Sequence, residues 1–117
     1  EDLALAEAMG LRVPPFGGKL DYYRFTAGTG LCSRLRRHLI LLAVGCRYRK
    51  LTSSSLTALR RGQPTEVEYL NGWITERARA LGVAVPVNAR LLGMIQALER
   101  GERQISPVNC QELMRNN

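Results

Sequence analysis

The sequence predicts an all-α domain. Leu, Ala and Arg dominate it, aromatic residues make up only 6% of the chain, and β-branched residues occur in short runs, a composition that suits helices better than a sandwich or barrel. At 117 residues and 45% apolar content, the chain is the size of one ordinary domain and can bury a single core, so residues 1–117 are expected to form one unit.

Residues 2–9 carry helix formers after an Asp cap, and Gly10 is placed to end that helix. Val13-Pro14-Pro15-Phe16-Gly17-Gly18 forbids regular structure, because the prolines fix φ and remove donors while the glycines loosen the backbone. A short helix is expected over residues 19–25, and residues 26–30 form another break. Ser33 then reads as the N-cap of a core helix with charged ends, since Leu35, Leu39, Leu42 and Cys46 recur at helical spacing between flanking arginines. A short helix follows near residues 54–61, stopped by Gly62.

Thr65-Glu66-Val67-Glu68 has the form of a capping box, and Val67, Leu70, Ile74, Ala78 and Leu81 continue at helical spacing to Gly82, which predicts one helix over 65–81. Val83-Ala84-Val85-Pro86-Val87 reads as an extended connector. Asn88 is the expected cap of the next helix, whose stripe is Leu91, Leu92, Ile95 and Leu98 and whose terminator is Gly101. Ser106-Pro107 predicts the last helix, with Ser as cap and Pro at its first position, through about Met114.

The bulk properties exclude several functions. The chain opens at Glu1 without a Met or a signal-like segment and reads as an excised piece. Its longest apolar stretch, Leu39 to Val44 with Gly45 and Cys46, is far shorter than a bilayer span, so no membrane association is expected. Cys32, Cys46 and Cys110 are odd in number and widely spaced, and His38 is the one histidine. That argues against a disulfide framework and a metal site, and for thiols in a reducing cytoplasm. The net charge of +7 would attract any polyanion, but the basic residues Arg34, Arg36, Arg37, Arg47, Arg49, Lys50, Arg60 and Arg61 bracket the apolar run rather than forming one stripe. Gly17-Gly18-Lys19 and Gly28-Thr29-Gly30 lack the spacing of phosphate loops and are read as turns. No Ser/His/Asp set or carboxylate cluster is present from which catalysis could be argued.

One region is distinctive. Residues 52–74 read Thr-Ser-Ser-Ser-Leu-Thr-Ala-Leu-Arg-Arg-Gly-Gln-Pro-Thr-Glu-Val-Glu-Tyr-Leu-Asn-Gly-Trp-Ile, and residues 80–88 read Ala-Leu-Gly-Val-Ala-Val-Pro-Val-Asn. This resembles the carboxy-terminal domain of the ketopantoate reductase (2-dehydropantoate 2-reductase) family. Its pattern is a Ser-Ser pair, a helix, Thr-Glu-(Ile/Val)-(Asp/Glu)-Tyr-(Leu/Ile)-Asn-Gly, and then Gly-(Ile/Val)-x-x-Pro-x-Asn. The likeness covers residues 52–99.

The resemblance implies a helical bundle similar to the carboxy-terminal domains of ketopantoate and 6-phosphogluconate dehydrogenase-like reductases. It implies NADP as cofactor, bound mainly by an amino-terminal Rossmann domain absent from this chain, a 2-keto acid as substrate, and a substrate-binding and dimerisation role for residues 1–117. Ser54, twelve residues before Glu66, corresponds to the substrate-binding serine, and Glu66 to the glutamate at the nicotinamide end of the cofactor. The general-acid lysine would lie before Glu1, so no catalytic residue is assigned here; Lys19 lacks an Asn at the fourth following position and does not take the role. Without the resemblance, Ser54 reads as an N-cap and Glu66 as a first-turn acid. Asn71 and Gly72 read as structural, and Tyr69 and Trp73 as core or interface anchors.

The chain departs from the family at Ala58, where an Asp is common, and in the Arg-rich segment before Thr52. A divergent reductase acting on another 2-keto acid therefore stays open. The rival from another class is a basic helical module that binds nucleic acid. The isolated chain is expected to be inert, with an apolar patch left for self-association.

Overall fold

A computed structural model describes residues 1–18 and 20–115. Among them, seven α-helices and one π-helical turn follow in order: α1 (Asp2–Ala8), α2 (Tyr22–Thr26), α3 (Leu31–Tyr48), α4 (Ser54–Arg60), the π turn (Glu68–Gly72), α5 (Trp73–Leu81), α6 (Pro86–Glu99) and α7 (Pro107–Arg115). The described residues hold no strand, only an isolated antiparallel bridge between Phe16 and Leu20. The all-α expectation holds. The chain divides into two compact units, one of Glu1–Gly10 with Thr52–Asn117 and one of Leu11–Leu51.

In the first unit, Leu5 of α1, Ala78 of α5 and Val85 before α6 are buried together, with Met9, Ile74 and Val83 packed against them. The ends of α4, α5 and α6 share one device. Gly62, Gly82 and Gly101 adopt φ of 64°, 67° and 71°, and the residue after each donates its N–H to a carbonyl five positions back: Gln63 to Ala58, Val83 to Ala78, and Glu102 to Ala97, at 2.9–3.0 Å. These are Schellman closures, which only glycine reaches without strain. At α5 the closure swings Val83 onto the core beside Ala78, so the stop signal also places a packing residue.

Expectations about helix starts are corrected in both units; α1 begins at Asp2 itself after Glu1, so Asp2 is not its cap. The predicted helix over 65–81 is broken by the π turn, in which Trp73 donates its N–H to the carbonyl of Glu68. The wider turn rotates the apolar face, so Leu70, expected inside, is 58% exposed while Asn71 is half-buried. The capping box does not form, because Glu68 accepts from Gln96 and Thr65 turns to Glu99. Asn88 is not the cap of α6. That helix starts at Pro86, and the carboxylate of Glu1 accepts from the backbone N–H groups of Val87 and Asn88 at 2.7 and 2.9 Å. A helix leaves its first N–H groups unpaired, and an acid from another segment satisfies them as well as a local one. At α7 the expectation holds: Pro107 is first, and Ser106 accepts from the N–H of Val108 at 3.3 Å.

In the second unit, Asp21 caps α2 by accepting from Tyr23 and Arg24, which starts that helix later than expected; Lys19 lies outside the described residues. The helix α3 begins at Leu31 after Gly30, so Ser33 falls in its first turn and is not a cap. Arg36 donates to the carbonyl of Arg24 at 2.7 Å, and Arg37 to those of Thr26 and Gly28 at 3.2 and 2.9 Å. These bonds tie α3 to α2 and the loop after it, with Ser33, Arg37 and Ile40 half-buried. The opposite face is open: Leu31, Leu35, Leu39 and Leu42 are 80%, 59%, 56% and 51% exposed. The expected core helix therefore has an uncovered apolar face. Spacing determines which side chains share a face, not whether anything covers it.

Candidate functional site

Two consecutive helix starts in the first unit carry the residues singled out in the sequence. At α4 the cap is Ser53, whose Oγ accepts from the N–H of Leu56 at 3.1 Å. Its carbonyl accepts from the hydroxyl of Thr57 at 3.2 Å. Ser54 is the first helical residue, exposed, and its hydroxyl bonds to no described residue.

The same division of labour recurs before the π turn. The N–H and the hydroxyl of Thr65 both donate to one oxygen of Glu99, each at 2.7 Å, and the hydroxyl also accepts from the N–H of Val67 at 3.2 Å. Those two bonds from Thr65 hold the carboxyl of Glu99 below its ordinary value of 4.5, outweighing the upward push of burial. Glu66 uses its carbonyl to start the helix, accepting from Leu70 at 3.0 Å. Its carboxylate is exposed and bonds to no described residue.

Behind these starts lies a polar lock. Asn71 of the π turn donates to the side-chain oxygen of Asn88 at 2.8 Å, and the amide nitrogen of Asn88 donates to Glu1 and Asp2 at 2.9 and 2.8 Å. Asn88 is buried. A buried amide needs all its partners, so this network fixes the π turn, α6 and the start of α1 to one another. For the carboxyl of Glu1, burial acts to raise the pKa, but bonds from the backbone of Val87 and from the backbone and side chain of Asn88 bring it below the ordinary value. At Gly72 a Cβ would stand 3.0 Å from a side-chain oxygen of Glu68, so that carboxylate would have to give by a few tenths of an ångström.

Ser54 and Glu66 share no described cavity. An apolar cavity of about 200 Å³ between α4, α6 and α7 takes Ser53 and Ser55 on its wall, with Leu56, Met94 and Ile95 beneath. A groove of about 450 Å³ along the π turn and α5 takes Glu68 rather than Glu66. Sequence reasoning missed Glu1, Asp2 and Glu99, whose partners lie 34 to 87 residues away, and nothing local in the sequence marks them. His38, Cys32, Cys46 and Cys110 are exposed. Among the described residues no group of three His, Cys, Asp or Glu could hold a metal ion, and no helix is long and apolar enough to cross a membrane.

The family described as "Ketopantoate reductase PanE/ApbA C terminal" matches residues 3–99. The chain belongs to this family. The match runs from α1 to the end of α6 and leaves α7 outside it. Among similar proteins, the 2-dehydropantoate 2-reductase of Shigella flexneri is 47% identical over 47 residues, which is 40% of this chain and 16% of that protein. The enzyme of the same name from Yersinia pestis is 43% identical over 54 residues, 46% of this chain and 18% of its own length. That from Archaeoglobus fulgidus is 41% identical over 49 residues, 42% and 17% respectively. These matches thus span under a fifth of each relative. No solved structure matches the chain.

As a ketopantoate reductase carboxy-terminal domain, the chain belongs to an oxidoreductase family and is the helical part of it. The pairing of Asn71 with Asn88 also gives a physical reason for two asparagines of the sequence pattern: they hold each other.

Proposed function

We propose that this domain forms the substrate-facing and dimerising side of an NADP-dependent 2-dehydropantoate 2-reductase, reducing ketopantoate to pantoate. The amino-terminal Rossmann domain and general-acid lysine of that enzyme would lie outside residues 1–117, in a cytoplasmic protein. When bound, the reduced nicotinamide supplies a hydride for the keto carbon. Ser54 donates a hydrogen bond to the 2-keto acid, and Glu66 accepts from hydroxyls at the nicotinamide end of the cofactor.

The observation that carries this reading is the repeated vacancy of the second residue. At both helix starts the preceding residue, Ser53 or Thr65, performs the structural work, and Ser54 and Glu66 remain exposed with uncommitted polar groups. That weighs against Ser54 as a mere cap. An uncommitted carboxylate also suits the ribose hydroxyls of a dinucleotide, while among the described residues no strand leads into a glycine turn and helix of the kind that holds its phosphates. The isolated domain should therefore be inactive.

The test is kinetic, in the reductase that carries this domain. Ser54→Ala should raise KM for ketopantoate about tenfold or more with NADPH binding intact, and Glu66→Gln should weaken NADPH binding measured by fluorescence. Unchanged constants in both variants would discard the assignment. A second reading, a related reductase for another 2-keto acid, is favoured by Ala58, which is half-buried on α4 where the family often has Asp. A panel of 2-keto acids separates the two. A nucleic-acid module is disfavoured because Arg36 and Arg37 bind backbone carbonyls of α2 and of the loop after it rather than extending from α3.

A further inference from the structure

The helix α4 has two faces with different surroundings. At 3.6 residues per turn, Ser55, Leu56 and Leu59 share the side of α4 away from Ser54. These three line the cavity of about 200 Å³ that α6 and α7 close from the other side, whereas Ser54 and Ala58 do not line it. None of the residues of α4 is buried, so this helix spans the cavity rather than resting on a core.

The cavity wall is hydrocarbon: Leu56 and Leu59 of α4, Met94, Ile95 and Leu98 of α6, and Leu113 of α7. The amide side chain on that wall, Asn109, is buried and has both of its groups committed. Its oxygen accepts from Arg103 at 2.6 Å, and its nitrogen donates to the carbonyl of Gln104 at 2.9 Å. Arg103 also pairs with Glu112 of α7. These bonds fix α7 to the loop before it, so polar struts hold the helix over the space beneath. A void without polar partners for water stays dry, and its wall forgoes the dispersion contacts of a close-packed interior. Apolar cavities of about 150 Å³ take up ligands the size of benzene, which gives this one room for about six to eight carbons. Ser53 and Ile105, both exposed, mark where it meets water. The Ser53 hydroxyl accepts from Leu56 and keeps its own proton to donate.

We infer that the space between α4, α6 and α7 is a binding site for an alkyl group of about six carbons carrying one polar end, which stays at the mouth beside Ser53. The site requires neither Ser54 nor Glu66 and stands independently of the reductase reading. Its occupant would brace α4 from behind, on the face opposite Ser54.

The test uses the 117-residue chain, labelled at the methionine methyl carbons for NMR, with 1-hexanol as the probe. Met94 lies on the cavity wall and Met9 against the Leu5 cluster, so the Met94 signal should shift and saturate on titration while that of Met9 stays. Affinity should rise about fourfold for each carbon from 1-butanol to 1-hexanol and stop rising beyond 1-octanol, where the chain outgrows the space. The equally long 1,6-hexanediol, polar at both ends, should bind at least about tenfold more weakly. Ile95→Trp, which fills the space from α6, should weaken hexanol binding at least about tenfold. Cys110→Trp should do the same from α7, at an exposed position where folding is not at stake. A Met94 signal that stays in place, or one that drifts without saturating, overturns the proposal. So does hexanol binding that survives in both filled variants, or hexanediol that binds as tightly as hexanol.

Discussion

The two units of this chain use the same helical alphabet to opposite ends. Glu1–Gly10 with Thr52–Asn117 carries nine acids and eight Lys and Arg, has a buried cluster at Leu5, Ala78 and Val85, and is tied by hydrogen bonds that reach 34 to 87 residues along the chain. Leu11–Leu51 carries nine Lys and Arg against the single acid Asp21. None of its described residues is buried, and its α3 arginines reach only 9 to 12 residues back. The net charge of +7 therefore belongs to the second unit, while the candidate site and the core belong to the first. A leucine period makes a face; a core needs other elements to close over it.

That contrast can be broken in order of effect. Leu5→Ala should cost the first unit about 3 kcal/mol in urea denaturation, whereas Leu39→Ala on α3, measured at dilution, should change stability by no more than about 0.5 kcal/mol. Equal losses would mean that the two units share a core. Asn88→Ala removes the partner of Asn71, Glu1 and Asp2, and should lower stability by about 2 kcal/mol with loss of amide protection at the π turn and the start of α6.

The carboxyls of Glu99 and Glu1 are held below their ordinary value, so the unfolded chain binds protons before the folded one does. Their contribution is fully present above about pH 4.5 and is lost as the pH falls through the folded values. Denaturation midpoints of the first unit should thus drop below that pH, and Glu99→Gln should flatten the drop and cost about 1 kcal/mol at neutral pH. The smallest effect belongs to the second unit: Gly45→Ala, where an added Cβ meets nothing within 4 Å, should raise the helicity of α3 and stabilise it by about 0.7 kcal/mol. A loss there would reveal a contact at that face.

Much of the fold could be read along the chain because its signals are local. Gly62, Gly82 and Gly101 stop helices where expected, and Ser106-Pro107 starts one, since a backbone that must enter the left-handed region or give up an N–H is set by a few neighbouring residues. The family was legible for a related reason: the serine run, the Thr-Glu start and the two asparagines keep their spacing within one stretch.

The failures in the first unit have one physical origin. Thr65 and Glu68 fit a capping box and Asn88 fits a cap, yet each found a stronger partner in Glu99, Gln96, or Glu1 and Asp2, and those partners are close only after folding. The extra residue in the π turn likewise exchanged Leu70 for Asn71 on the inner side. By itself the sequence determined the helical class, the helix ends and the family, because short-range sterics and hydrogen bonding dictate them. The tertiary structure decided which carboxylate caps α6, which residues stay uncommitted beside Ser53 and Thr65, and which leucine face is left in water, because those outcomes depend on groups far apart in sequence competing for the same partners.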